Sequence, residues 1–209
     1  MLRIKICGLT NLDDALAAVQ CGADALGFVF ANSPRQVEPE TVQRIVAELP
    51  PLVFKVGVFS NAPIEHVLDT MRRCNLDLVQ LHGQESPEYC RALYPRVIKA
   101  FAVQHEHDLL PLADYKVAGY LLDRPKSPAG QPSGKGYDWR LARQAACYGP
   151  VILAGHLNPD NVMEAVITAR PYGVDVSSGV ETRPGRKDKE RMRAFVEAAR
   201  AGAIAVSCP

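Results

Sequence analysis

Two side chains capable of proton transfer end apolar runs of this 209-residue chain. Cys7 ends the run RIKIC and is followed directly by Gly8, and Asp123 ends the run VAGYLLD. A thiolate and a carboxyl group at opposite ends of a small pocket make a base and an acid that can move protons on a bound molecule. Each residue also has a structural interpretation, as a small core side chain for Cys7 and as a helix cap or loop-closing hydrogen bonder for Asp123.

Small residues follow two later apolar runs. Gly155 comes directly after VILA, and Ser177, Ser178 and Gly179 come after GVDV. Small residues let backbone N–H groups approach an anion closely, and barrel enzymes often hold a phosphate at such turns. Ordinary turn chemistry is the alternative, because Ser and Gly favour loops in any case. Two such turns favour a phosphate site, and the glycine-rich segment SGKGYDW is a third, less specific element.

Three further side chains follow other apolar runs. Arg35, in NSPRQV, suits a planar carboxylate, which a guanidinium can grip through two parallel hydrogen bonds; a solvated surface arginine is the alternative. Gln80 and His82, in LVQLHG, could line the floor of a pocket, although a structural histidine is equally plausible. The sequence has no zinc spacing, P-loop or dinucleotide fingerprint, so we expect neither a metal nor a cofactor.

These residues must be positioned by short apolar runs that alternate with longer amphipathic segments. Strand-then-helix alternation implies parallel pairing with crossover helices. Eight such units predict one α/β domain over residues 1–209, a closed (β/α)8 TIM barrel, with a doubly wound open sheet as the competitor. The predicted strands are 3–7, 25–30, 53–58, 77–81, 96–101, 117–122, 151–154 and 173–176. The predicted helices are 11–20, 39–49, 63–73, 86–93, 105–112, 138–146, 158–169 and 187–200.

The first strand shows how a barrel would aim these side chains. Alternation sends Ile4 and Ile6 to one face and Lys5 and Cys7 to the other, toward the barrel mouth. Lys5 would then be a buried charge that needs a carboxylate partner. If Cys7 is the base, its pKa must fall below the ordinary value of about 8.5, and Lys5 and backbone N–H groups are the candidates for lowering it.

Composition indicates a globular domain and no more about its function. Hydrophobic residues make up 47% and the formal net charge is +1, which predicts no general attraction to nucleic acid or acidic membranes. No apolar run approaches the roughly 20 residues that span a bilayer. The six cysteines are scattered, so we expect free thiols and a cytoplasmic location. The sequence does not decide between a monomer and a homodimer.

Taken together, several motifs resemble the phosphoribosylanthranilate isomerase family of tryptophan biosynthesis. They run from Lys5 to Asp188 in the family's order. The matching stretches are KICGLTN, GADALGFVFANSPRQV, VGVF, VQLHG, YLLD, SGKGYDW, LAGHLNPDNV and DVSSGVE followed by PGRKD.

The resemblance implies a cofactor-free Amadori rearrangement of a phosphorylated sugar amine. Asp123 would be the general acid that opens the ribose ring, and Cys7 the general base that takes the proton from ribose carbon 2. Arg35 would hold the anthranilate carboxylate. Asp175 would contact substrate hydroxyls or pair with Lys5. The phosphate turns would consist of Gly155, His156, Ser177, Ser178 and Gly179.

Two residues depart from the family pattern. The family commonly has AGGL where this chain has AGHL, so His156 occupies a phosphate turn. The histidine would add a contact to phosphate, or it would crowd the turn if positive φ is required at residue 156. Pro132 stands where the family often has glycine. Two rival functions remain at this point: a related aminoaldose isomerase of the histidine pathway, which has an acid where this chain has Cys7, and an inactive barrel that only binds phosphometabolites.

Overall fold

The computed structural model describes residues 1–125 and 138–207, with the side chain of Ser207 excepted. The glycines of SGKGYDW and Pro132 lie outside the described residues. Within the described ranges, no helix is both long and apolar enough to cross a lipid bilayer.

Eight parallel strands close into a barrel in the order of the chain, and the last strand pairs with the first. The predicted closed barrel is therefore confirmed and the open sheet is wrong. Each predicted strand is present, with ends that shift by at most two residues. The strands are β1 (Arg3–Cys7), β2 (Ala25–Val29), β3 (Phe54–Phe59), β4 (Leu78–Leu81), β5 (Val97–Ala102), β6 (Gly119–Asp123), β7 (Val151–Leu153) and β8 (Gly173–Val176).

Helices cover the outside of the barrel, and their ends follow local sequence signals. The Asn11 side chain accepts a hydrogen bond of 2.9 Å from the backbone N–H of Asp14 and so caps the first helix. Pro39 and Pro87 each occupy the first turn of a helix, where a missing N–H leaves no bond unmade. The helices are α1 (Leu12–Gln20), α2 (Pro39–Ala47), α3 (Ile64–Arg73), α4 (Pro87–Leu93), α5 (Arg140–Ala145), α6 (Val162–Ala169) and α7 (Lys189–Ser207).

Three helices differ from the prediction, and one of them, α7, runs to Ser207 instead of ending at residue 200. The helix predicted at 105–112 is a 3₁₀ helix, Glu106–Asp114, because Pro111 inside it lacks the N–H that an α-helix needs. The helix predicted from residue 158 begins at Val162, because the Asn158 side chain binds the N–H groups of Asp160 and Asn161 and holds a turn there.

A short hairpin that the sequence did not predict follows β8. It comprises a 3₁₀ turn (Ser178–Val180) and two antiparallel strands, β9 (Glu181–Arg183) and β10 (Arg186–Lys187). We call residues 181–187 the β9–β10 hairpin. It lies between β8 and α7 and contributes buried charged groups that are described with the site below.

Side-chain alternation separates the outer core from the barrel interior. Ile4 and Ile6 of β1 are fully buried against the helices, as predicted from the period of two. The interior holds a smaller apolar cluster of Ile98, Ala100, Leu121 and Ala154. Inward-facing polar groups lie above this cluster, toward the carboxyl ends of the strands.

Candidate functional site

A cavity of about 430 Å³ opens at the carboxyl-terminal rim of the barrel. This volume is within the range of small-molecule sites. All but one of the predicted site residues line it. Those residues are Cys7, Arg35, Gln80, His82, Asp123, Gly155, His156, Asp175, Ser177 and Ser178.

Cys7, at the end of β1, is 7% exposed and shares its surroundings with a buried ion pair. The Lys5 ammonium donates to the Asp175 carboxylate at 2.7 Å, so one of the two predicted roles of Asp175, as the partner of Lys5, is present. Burial disfavours the charged form of Lys5, but the charges and hydrogen bonds of Asp175 and Cys7 together outweigh burial and raise the pKa of Lys5. The pair therefore places the Lys5 ammonium beside the thiol, and the Asp175 carboxylate compensates the charge of that ammonium.

The ionisation of Cys7 differs from the expectation. Burial raises the pKa of the Cys7 thiol above that of an ordinary cysteine, although Lys5 and Lys187 each lower it in part. Burial outweighs the nearby cations and Asp175 opposes them, so the structure does not provide the expected lowering. A raised pKa favours the neutral thiol and makes the thiolate, once formed, a stronger proton acceptor.

Gly27 of β2 makes room for the thiol, and the sequence analysis missed it. A Cβ atom at this position would lie 2.7 Å from Cys7 Sγ, 3.1 Å from Cys7 Cα and 3.1 Å from Lys5 Nζ. Such distances are below van der Waals contact, so only glycine fits opposite the thiol without a shift. The parallel register pairs Cys7 with Gly27, and no motif of the sequence reveals that pairing.

Asp123 lies at the end of β6, three strands around the barrel from Cys7. One carboxylate oxygen accepts the Arg124 backbone N–H at 2.7 Å, and the other lies 3.5 Å from His82 Nε2. His82 Nδ1 is in turn 3.3 Å from the amide nitrogen of Gln80. The three predicted side chains thus form one chain of polar contacts along the cavity wall.

Gln80 also offers an unused acceptor. Its side chain is 2% exposed, and its carbonyl oxygen Oε1 is buried with no hydrogen-bond partner among the described residues. A buried polar group without a partner is costly, so it indicates a ligand or water that supplies a donor.

The turns after β7 and β8 face the same end of the cavity. Among the described residues, no acceptor is bound to the backbone N–H groups of His156, Ser178 or Gly179. Gly155 has a φ of +89°, which glycine adopts without strain. Gly179 does not line the cavity; a Cβ there would lie 2.0 Å from the carbonyl oxygen of Leu157, so Gly179 lets the two turns pack together.

His156 has a left-handed backbone, with a φ of 59°. A positive φ at residue 156 is the condition under which we expected histidine to crowd the turn, and this condition is met. A non-glycine residue in this region costs about 1–2 kcal/mol. The Asn161 side-chain amide donates to the His156 carbonyl at 3.0 Å and helps to hold the turn in this conformation.

Arg35 lines the cavity with its guanidinium held by Glu181 of the β9–β10 hairpin, a contact that the sequence did not reveal. Nε and Nη2 donate to the two carboxylate oxygens at 2.8 and 2.7 Å. The Lys187 ammonium donates to the same carboxylate at 2.8 Å. Gly8, at a φ of +76°, leaves space for the Arg35 side chain, since a Cβ there would lie 2.5 Å from Arg35 Cδ.

No group of three or more His, Cys, Asp or Glu side chains within residues 1–125 and 138–207 is arranged to hold a metal ion. The cavity instead combines a thiol, a carboxyl group, a guanidinium and two turns with unbonded N–H groups. A parallel (β/α)8 barrel with such a rim defines the class of barrel enzymes that perform acid–base chemistry on a small anionic molecule.

Comparison with known proteins identifies the family within this class. The family model described as N-(5'phosphoribosyl)anthranilate (PRA) isomerase matches residues 4–198. This chain belongs to that family and is an isomerase. The predicted family and enzyme class are confirmed.

Individual relatives are similar over their whole length. The N-(5'-phosphoribosyl)anthranilate isomerase of Geobacter metallireducens is 54% identical over 202 residues, which cover 96% of this chain and 100% of the relative. The crystal structure of the Thermotoga maritima enzyme is 45% identical, with a TM-score of 0.88 and coverage of 96% and 99%. A second crystal structure, of the enzyme in complex with reduced 1-(o-carboxyphenylamino)-1-deoxyribulose 5-phosphate, is 43% identical, with a TM-score of 0.85 and the same coverage.

Proposed function

We propose that this chain converts N-(5'-phosphoribosyl)anthranilate into 1-(2-carboxyphenylamino)-1-deoxyribulose 5-phosphate, an Amadori rearrangement of tryptophan biosynthesis. The observation that carries the proposal is the single cavity that Cys7 and Asp123 share with Arg35 and the two turns. The reaction moves one proton to an oxygen and takes another from a carbon. Such an isomerisation needs an acid, a base and a clamp at each end of the substrate.

Asp123 begins the reaction as general acid. In its protonated form it donates to the ribose ring oxygen, the bond from that oxygen to carbon 1 breaks, and the nitrogen lone pair forms a Schiff base. The Arg124 N–H bound to one carboxyl oxygen orients the group. His82, 3.5 Å from the other oxygen, stabilises the carboxylate that remains after the proton has left.

Cys7 completes the reaction as general base. Its thiolate takes the proton from carbon 2, and the electron pair moves toward the iminium nitrogen to give an enolamine, which tautomerises to the ketone. Burial supports this direction of transfer, because it favours the neutral thiol that forms. The Lys5–Asp175 pair keeps the ammonium beside the sulfur in the thiolate state.

The remaining residues hold the substrate. Arg35 binds the anthranilate carboxylate, and the turns that contain Gly155, His156, Ser177 and Ser178 bind the phosphate. The N–H groups of the turns have no other acceptor among the described residues, which supports this assignment. Gln80 Oε1 accepts a hydrogen bond from a substrate hydroxyl, which would satisfy its buried oxygen.

The proposal extends to the assembly and location of the protein. We take residues 1–209 as one barrel domain that acts in the cytoplasm as a monomer or homodimer. Leu52 is 99% exposed, and Phe54 and Tyr172, at the amino ends of their strands, are about half exposed, which favours self-association at that face. A 42% identical structure is of monomers generated from the dimeric Thermotoga maritima enzyme. Light scattering of the purified protein tests the mass.

The test follows the fluorescence of freshly generated phosphoribosylanthranilate as it disappears. The native protein should turn it over, and Cys7→Ser and Asp123→Asn should each lower kcat by a factor of about 10² or more, because each removes one proton-transfer group. Binding of the reduced product analogue should persist in both variants. Turnover that survives Cys7→Ser would make Cys7 a packing residue. Analogue binding without turnover by the native protein would favour a binding-only barrel.

A further inference from the structure

Three charged side chains meet where the β9–β10 hairpin reaches the cavity. Glu181 accepts two hydrogen bonds from Arg35 and one from Lys187. The Glu181 side chain is 4% exposed and that of Lys187 is fully buried, whereas Arg35 is 22% exposed and reaches the cavity. The hairpin therefore supplies a buried anion whose main neighbour is the proposed carboxylate receptor.

The geometry of these bonds decides which edge of Arg35 is available. A guanidinium has five N–H donors, arranged so that it can grip two carboxylates on two different edges. Glu181 occupies the edge formed by Nε and Nη2. The edge formed by Nη1 and the second N–H of Nη2 has no partner among the described residues. A bound carboxylate can dock there through two parallel hydrogen bonds.

The charges of this cluster do not balance. Burial lowers the pKa of Lys187, and its bond to Glu181 opposes this shift. With Lys187 protonated as the donor to Glu181, Arg35 and Lys187 carry two positive charges and Glu181 one negative charge, so the cluster has a net charge of +1. Glu181 keeps its charge, because its bonds to Arg35 and Lys187 outweigh burial and lower its pKa. A partly buried excess charge of this kind is costly without a counterion, and a substrate carboxylate supplies one.

Lys187 and the backbone of the hairpin restrict the movement of the Glu181 carboxylate. Its ammonium also donates to the Ser177 carbonyl at 3.1 Å, which ties Glu181 to the turn after β8. The Gly185 N–H donates to Glu181 at 3.3 Å, and the Thr10 hydroxyl donates to the Gly185 carbonyl at 2.6 Å. The hairpin is thus attached to the loops after β1 and β8, and Glu181 has little freedom to follow Arg35 if it moves.

We propose that Glu181 is a positioning residue that sets the specificity of this site for an aromatic carboxylate. It holds Arg35 by one edge so that the other edge faces the cavity, and Lys187 holds Glu181. The inference rests on the proposed function, because it takes the anthranilate carboxylate as the group that Arg35 binds. Glu181 itself does not contact the substrate.

The test compares two ligands by titration calorimetry. One is reduced 1-(o-carboxyphenylamino)-1-deoxyribulose 5-phosphate, and the other is the same molecule without the carboxylate. The native protein should bind the carboxylated ligand about 10- to 100-fold more tightly, as expected for a charge-assisted pair. Glu181→Gln raises the net charge of the cluster to +2, which by itself favours a carboxylate, so a loss of preference in this variant reports the lost position of Arg35. The ratio should fall to about 1, while affinity for the ligand without the carboxylate stays within about threefold of the native value. In turnover, KM should rise more than kcat falls.

Two further variants keep the test decisive. Arg183→Gln alters an exposed residue of the same hairpin and should leave the ratio unchanged. The double variant Glu181→Gln with Lys187→Met keeps the net charge of the cluster at +1, so it covers the case in which the single variant does not fold. Circular dichroism establishes that each protein is folded.

The outcomes separate the two proposals. The positioning role alone would be overturned if Glu181→Gln kept the native ratio of affinities for the two ligands. The same holds for the double variant if the single variant is unfolded. An equal fall in Arg183→Gln would overturn it as well, since the effect would then be unspecific. A native protein that binds neither ligand would contradict the proposed function and this inference together.

Discussion

Gly27→Ala tests whether the space opposite Cys7 is required for catalysis. A single methyl group at residue 27 would lie 2.7 Å from Cys7 Sγ. An unstrained contact is about 3.5 Å, so the sulfur would have to move by about 0.8 Å or the strands would have to separate. The added methyl group would also lie 3.1 Å from Cys7 Cα, and movement of the sulfur alone does not relieve that contact, so the two strands must shift by a few tenths of an ångström as well.

A displacement of this size affects proton transfer more than folding. Misplacing a reacting group by about 1 Å costs about 10²-fold in rate, so we expect kcat of Gly27→Ala to fall by a factor of about 10². Overpacking at a buried site costs about 1–3 kcal/mol of unfolding free energy, which a barrel of this size tolerates. The fluorescence assay measures kcat, and urea unfolding measures the stability.

Gly119→Ala is the matched control. Gly119 also lies in a barrel strand, but the nearest atom to an added Cβ there is the Pro150 carbonyl oxygen at 3.4 Å, an ordinary contact. This variant should keep kcat within about threefold of the native value. If Gly27→Ala were as active as Gly119→Ala, the thiol would not need its present position, and the assignment of Cys7 as base would lose its geometric support.

Three more outcomes are expected. Because burial raises the pKa of Cys7, the ultraviolet absorbance of its thiolate, taken as the difference between the native protein and Cys7→Ser, should appear only above the pH range in which an ordinary thiol ionises; a transition below about pH 8.5 would contradict this. Lys5→Met should lower the free energy of unfolding by about 3–5 kcal/mol, because it leaves the Asp175 carboxylate buried and unpaired. Adding Asp175→Asn should restore part of this loss. Denaturant titration measures both effects, and a loss below about 1 kcal/mol for Lys5→Met would refute the reasoning. His156→Gly should raise the free energy of unfolding by up to about 1 kcal/mol in thermal denaturation, through relief of the left-handed backbone, whereas His156→Ala should bring no gain.

The fold was predictable because its signals are local. Alternating apolar runs and the caps at Asn11 and Pro39 mark the units, and a period of two assigns Ile4 to the outer core and Cys7 to the interior. The segment that contains Pro111 was misjudged because apolar periodicity does not distinguish an α-helix from a 3₁₀ helix. The β9–β10 hairpin is too short to produce a pattern of its own.

The sequence predicted those residues of the candidate site that end a strand or directly follow one. Cys7, Asp123 and the turns after β7 and β8 line one cavity for this reason. The contacts that control them were not predictable. Gly27 opposes Cys7 through barrel register, and Glu181 reaches Arg35 across 146 residues of sequence. The direction of the Cys7 pKa shift depends on how burial and Lys5 balance, and only the packed structure decides that balance.

The pairing of β1 with β8 has a consequence for how the protein is made. Lys5 and Asp175, which join at this seam, are separated by 170 residues. Synthesis proceeds from the amino terminus, so Lys5 and Cys7 leave the ribosome long before their carboxylate neighbour exists. A nascent or truncated chain that lacks β8 has neither the closed barrel nor the charge environment of the thiol. The complete site therefore forms only after the last strand of the barrel and the β9–β10 hairpin behind it have been made.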